Sequence, residues 1–188
     1  MGSRVITALT VARKVVTMDY TDLIHVCLSG RNFSRAKHVQ LAWFDAIKLV
    51  KTPYFFFIDD DDHLPSNYIS VLQKCKDANT AIAYTDEYVA DEYRARDKYS
   101  QANHLANPTL AHHLVLCNTS IANEAIRNLP LGEFWPEMML YWEMAKLGGA
   151  SYIPEIGYHW NRGPTGLHKQ WFTVLGMHNT IQWCKQNP

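Results

Sequence analysis

The sequence predicts an α/β fold, a Rossmann-like three-layer α/β/α sandwich around a mostly parallel central sheet. Three observations carry this. Tyr54 to Ile58 is an unbroken apolar run ended abruptly by Asp59, Asp60, Asp61 and Asp62, the pattern of a strand buried on both faces. Before it, Val39, Ala42, Trp43, Ala46, Ile47 and Val50 recur at helical spacing and form one apolar face. From Arg35 to Tyr84 the order is helix, strand, helix, strand, which argues a sheet covered by helices.

The elements follow in order. Val5 to Leu9 reads as a first strand, and Leu23 to Leu28 as a second, closed by Ser29-Gly30. The stretch between them is short for a crossover helix. Ser34 can cap a helix from about Arg35 to Val50, which Thr52-Pro53 breaks. Pro65-Ser66 opens a helix whose buried side is Tyr68, Ile69, Leu72 and Cys75. Ala81 to Tyr84 is a short strand. Thr85 to Asn107 is polar and charged. It reads as a surface excursion or as a helix with pairs such as Glu92–Arg96. Leu114 to Cys117 reads as a strand and Ser120 to Asn128 as a short helix. Pro136 opens a helix to about Leu147, stopped by Gly148-Gly149. Ile153 to Trp160 has strand character, Asn161 to Gly166 is a Gly/Pro loop, and Trp171 to Cys184 is a final helix.

The 188 residues suit one domain, 1–188, with Met1-Gly2-Ser3 resembling a cloning scar. A chain of this size buries roughly 70% of its unfolded surface, so it needs no disulfide or structural metal. Its 18 basic and 18 acidic residues balance, leaving no global field to attract a polyanion. Cys27, Cys75, Cys117 and Cys184 form no CxxC pair and lie among apolar residues, which argues against a zinc knuckle and for a reducing, cytoplasmic setting. No apolar run reaches the length of a membrane span. Attachment at a membrane periphery stays compatible with this.

The chemistry centres on the aspartate run. Four carboxylates at the end of a buried strand repel one another, and a divalent cation removes that conflict. Alternate side chains of an extended segment share a face, so Asp59 and Asp61 are expected to address one ligand. Carboxylate oxygens suit Mg2+ or Mn2+. Ligands of open α/β sheets bind beyond the carboxyl ends of strands, where this run lies. The plain alternative is a solvated acidic turn.

Thr52-Pro53-Tyr54-Phe55-Phe56-Phe57-Ile58-Asp59-Asp60-Asp61-Asp62-His63-Leu64-Pro65 resembles the strand and aspartate motif of the glycosyltransferase family 2 group, which has the GT-A fold. Further matches follow in order. Ala81 to Asp86 looks like the strand after that motif. Pro136 to Trp142 resembles the acidic motif that carries the catalytic base, and Tyr158-His159-Trp160-Asn161-Arg162 resembles the late strand before a donor-covering loop.

The resemblance implies an inverting, metal-dependent transfer from a nucleotide sugar, a UDP-sugar foremost. The acceptor would be a glycan or another hydroxyl, a modified DNA base included. It implies Asp59 at the ribose or metal, Asp61 on the metal, Asp62 as a supporting ligand, and His159 or His168 completing the site. Glu137 would be the base. Thr10, Arg13, Asp60 and Arg162 join Asp59 as candidate donor contacts. Two positions depart from the family: Met138 stands where a second acid is usual, and Ser29 where an aspartate often reads the nucleobase.

Glu137 opens its helix, where an anion is favoured, with Trp135, Met138 and Trp142 as apolar neighbours. Glu143 is a second candidate base, but six residues place it about 120° around the helix axis from Glu137. The adjacent His112 and His113 point apart on any regular element and read as structural or surface. Trp142 reads as core, and Arg162 fits a diphosphate or a plain surface position. A nucleotidyltransferase would want a glycine-rich basic loop after the first strand, and Thr10 to Lys14 has no glycine. A non-catalytic nucleotide-sugar or metal-binding domain is the other alternative, supported by Met138.

Overall fold

A computed structural model describes residues 5–12, 20, 23–30, 33–161 and 170–188. Seven strands form one sheet: β1 (Ile6–Val11), β2 (Ile24–Leu28), β3 (Tyr54–Phe57), β4 (Ile82–Val89), β5 (Glu92–Arg94), β6 (Val115–Asn118) and β7 (Ala150–Trp160). The helices are α1 (Ala36–Leu49), α2 (Tyr68–Asp77), α3 (Gln101–Ala106), α4 (Thr119–Asn128), α5 (Pro136–Gly148) and α6 (Trp171–Gln186). Pairing runs β2-β1-β3-β6-β4-β5, and β7 lies parallel along β4. β6 is antiparallel to both β3 and β4, and β5 to β4. The other five strands therefore share one direction, and the sheet is mostly parallel.

The apolar run after Pro53 shows why this is a three-layer structure. Phe55 and Phe57 enter one core, with residues of α1, α4 and α5. Phe56 and Ile58 enter the other, with Val71, Leu72 and Cys75 of α2. A strand whose alternate side chains are both buried must be covered on both faces. Each such Phe or Ile contributes about 1.5–3 kcal/mol by leaving water. Trp43 of α1 stacks on Phe57 with ring centroids 3.6 Å apart, so the helix predicted from its apolar stripe seats directly on the strand that carries the aspartates. Ser34 is not its cap: Arg35 occupies that position without a side-chain bond. The four cysteines are free thiols.

The polar stretch after Tyr84 departs from the expectation. β4 continues to Val89 and turns into β5, and the chain then runs to the short α3, capped by Ser100. Asp86, Glu87 and Arg96 are buried. Arg96 pairs with Glu87, not with Glu92. Asp86 is fully engaged: its carboxylate accepts from the Arg96 N–H and from the hydroxyls of Tyr152 and Tyr93, each at 2.7 Å. Internal partners thus let a charged segment form a central strand. Among the described residues, no helix is long and apolar enough to cross a membrane.

Candidate functional site

The aspartate run leaves β3 and turns at once. The Asp62 N–H donates to the Asp59 carbonyl at 3.3 Å, closing a turn over 59–62. Asp59 and Asp62 therefore converge, with Asp62 buried and Asp59, like Asp60 and Asp61, exposed on the turn. The expected sharing of a face by Asp59 and Asp61 required extended backbone, and the turn removes it.

The end of β7 holds this turn. The Asp59 N–H donates to the Tyr158 hydroxyl at 3.0 Å. His63 and His159 exchange backbone hydrogen bonds at 3.3 and 3.0 Å. The Asn161 N–H donates to Asp62 Oδ1 at 2.7 Å, and its side-chain amide to the Asp61 carbonyl. Asp62 Oδ2 is buried with no hydrogen-bond partner among the described residues. A buried carboxylate oxygen without a donor is costly in a folded protein and signals a missing cation or donor.

A third group completes the convergence. Ligand atoms of Asp59, Asp62 and His113 lie within 4.8 Å of one another. His113 takes φ 53°, a left-handed conformation that breaks the regular alternation of side chains. The expectation that adjacent histidines point apart fails for this reason. The His112 and His113 ring centroids are 3.6 Å apart, and both rings reach Glu87 Oε2, at 3.4 Å from His112 Nδ1 and 2.7 Å from His113 Nδ1. The His113 ring also stacks on Tyr158 with an interplanar angle of 4°, and Trp160 lies against both imidazoles. Arg96, on Glu87 Oε1, closes the cluster from behind.

Glu137, in the first turn of α5, reaches the same cluster through His112: its Oε1 lies 3.7 Å from His112 Nε2. Glu143 pairs with Lys146 at 3.4 Å. Met138 and Trp142 are core residues, the indole N–H of Trp142 donating to the Asn187 carbonyl at 3.0 Å. Thr10 is buried in β1, its hydroxyl 2.9 Å from His25 Nε2 on β2. His159 stacks on His63 and lies against Tyr88, outside the converging groups. Arg13, Arg162 and His168 lie outside the described residues.

The electrostatics follow from this crowding. Desolvation, then the charges of Asp62, Glu137 and Asp61, lift the Asp59 carboxyl to about 7, although its open side admits water that screens the effect. Burial raises Asp62 to about 6 against the pull of the Asn161 N–H and the Tyr158 hydroxyl. Burial and the neighbouring His112 push His113 down to about 3, so it is neutral. Burial opposes protonation of His112 as well, but Glu137 and Glu87 outweigh it and raise that ring. Burial works against ionised Glu87 too, yet the two histidines hold it well below the usual carboxylate range. Two carboxylates that resist ionisation beside a neutral imidazole form a donor set suited to a divalent cation.

No protein-family model matches the sequence, and no curated protein matches it. Among solved structures, S. aureus TarS 1-349 superposes with a TM-score of 0.55 at 10% identity, covering 74% of this chain and 44% of that one. The same protein in complex with UDP-GlcNAc gives 0.55 at 9% identity, covering 78% and 44%. S. aureus TarS gives 0.56 at 10%, covering 76% and 27%. The chain thus spans less than half the length of the TarS structures it resembles. At this identity the likeness is one of fold, and the chain has the GT-A-like fold that it shares with TarS.

Proposed function

We propose that this domain is a metal-dependent glycosyltransferase that moves a sugar from a nucleotide-sugar donor to a hydroxyl acceptor. The observation that carries the reading is the convergence of Asp59, Asp62 and His113 at the carboxyl end of β3, with Glu137 facing the same cluster. Open α/β sheets bind ligands at this end of their strands. TarS, crystallised with UDP-GlcNAc and with UDP, shares the fold, which supports a UDP-sugar as donor.

Asp59 and Asp62 are the residues that would hold Mn2+ or Mg2+, and Asp62 Oδ2, without a partner among the described residues, fits that role. A bound ion supplies Lewis-acid charge to a departing diphosphate. The protein's own groups do the rest. Glu137 accepts the proton of the acceptor hydroxyl as its oxygen attacks the anomeric carbon, and the bond to the diphosphate breaks with its electron pair leaving on the diphosphate. General-base assistance of this kind contributes roughly a hundred- to ten-thousand-fold. His112, between Glu137 and Glu87, holds the Glu137 carboxylate toward the cluster. The turn's anchorage to β7 keeps Asp59 and Asp62 in place before the donor arrives, which serves orientation.

The test is a panel of nucleotide sugars with and without Mn2+, read as thermal shift and as nucleoside diphosphate release. The expected result is a shift that needs both donor and metal. Asp62→Asn loses it, and Glu137→Gln keeps it while losing release. No shift with any donor in the presence of metal would refute the reading, and retained release in Glu137→Gln would reassign the base.

A further inference from the structure

We infer that His113 is the imidazole ligand of the ion held by Asp59 and Asp62, and that Glu87 is the positioning residue that aims it. This deepens the reading above and rests on it, since it concerns the same ion.

The geometry starts at β4. The pairing of β4 with β7 shifts register on both sides of Asp86, which brings Glu87 opposite Tyr158. Irregularities of this kind commonly re-aim side chains next to functional sites. His113 stacks on that same Tyr158 ring and puts Nδ1 2.7 Å from Glu87 Oε2. Ionised Glu87 only accepts hydrogen bonds, so Nδ1 must carry the proton. The lone pair is then on Nε2, across the ring from Glu87, and Nε2 is the nitrogen free to meet an ion held by the aspartates. A carboxylate holding one nitrogen of a histidine so that the other meets a metal is a recurrent arrangement.

The neighbouring choices are excluded by their partners. His112 has both nitrogens facing carboxylates, Glu87 at 3.4 Å and Glu137 at 3.7 Å. The alternative cluster of Glu87, His112 and His113 already carries Arg96 and Arg94 on Glu87. A cation there would meet two guanidinium charges. Among the described residues, neither Asp59 nor Asp62 pairs with a guanidinium or ammonium group, and the buried Asp62 Oδ2 has no hydrogen-bond partner there.

An imidazole in the donor set has a chemical consequence. All-oxygen sites suit Mg2+, whereas imidazole favours transition-metal ions. The site should therefore prefer Mn2+ over Mg2+, and the preference should reside in His113.

Pulsed EPR of the Mn2+-loaded protein tests this without turnover. The wild type should show 14N modulation from a directly bound imidazole, and His113→Gln should lose it. Mn2+ affinity should fall about 10–100-fold in His113→Gln and in Glu87→Gln, with Mg2+ affinity nearly unchanged in His113→Gln. Histidine 15N NMR of the metal-free wild type should show the Nδ1-protonated tautomer at His113, a readout that needs no variant to fold. Bound Mn2+ without 14N modulation, modulation persisting in His113→Gln, or an Nε2-protonated His113 would each overturn the assignment and leave the ion site standing. No Mn2+ binding by the wild type would overturn both.

Discussion

The backbone N–H of Asp59 donates to the hydroxyl of Tyr158, 99 positions later in the chain, at 3.0 Å. This bond ties the aspartate turn to the end of β7, and the same phenol lies beside Asp62. Tyr158→Phe should cost about 1–3 kcal/mol in urea unfolding, because it leaves an N–H without its acceptor. Mn2+ affinity should fall as well, since the turn loses an anchor. An unchanged midpoint together with unchanged affinity would assign the turn's order to its other bonds with Asn161 and His159.

Without an ion, the aspartate cluster should destabilise the fold as pH rises. The carboxyls of Asp59 and Asp62 are raised to about 7 and about 6, chiefly by desolvation. The native state therefore holds protons that the unfolded chain releases near pH 4. The contribution to stability is fully present below that value and is lost as pH climbs through 6 to 7. Mn2+ should therefore raise the melting temperature more at pH 8 than at pH 5. Melts at both pH values, with and without metal, check this. Asp62→Asn should reduce the difference.

His104 should give a trend of opposite sign. Its ring is fully buried in α3, edge-on to Trp142 and Tyr99, and burial lowers its pKa to about 4. Its Nε2 has no partner among the described residues. The folded state excludes the proton that the unfolded chain takes up near 6.5. Stability is then fully present above that value and is lost as pH falls towards 4, by on the order of 3 kcal/mol at most. His104→Phe should flatten this acid limb while holding stability at pH 8. The two trends oppose each other between pH 4 and 6.5, so each is read as the difference between a variant and the wild type.

Gly157 should tolerate no side chain. A Cβ there would sit 2.4 Å from both Leu114 Cδ2 and Thr85 Oγ1. Gly157→Ala should destabilise by about 1–3 kcal/mol or more through overpacking. It should also weaken Mn2+ binding, because Gly157 precedes Tyr158 at the register shift. Chemical denaturation and Mn2+ titration of one sample separate the two effects.

Much of the frame is legible without coordinates. The five-residue apolar run of β3, the stripe of α1, Pro136 opening α5 and the strand character of β7 all depend on local periodicity and on residues that start or stop elements. The site is less legible. Glu137 and the aspartates are visible as residue types in a pattern. The pairing of Asp59 with Asp62, in place of Asp61, depends on a turn bonded to β7. The regular alternation expected of His112 and His113 fails because a left-handed residue interrupts the segment. The signal for their convergence in the sequence is a histidine pair immediately before a short strand, which on its own carries little.

Local order in this chain comes from apolar spacing and punctuation, interactions among near neighbours that the amino-acid order encodes directly. The layered α/β frame and the acidic end of β3 are encoded at this local level. The burial of Glu87 with Arg96, the convergence of two histidines on that glutamate, and the approach of one of them to the aspartates arise from the folded arrangement of distant segments. The reason is physical: a charged residue is stable inside only where distant segments bring it a partner, and which partner arrives is a property of the folded sheet, not of any window along the chain.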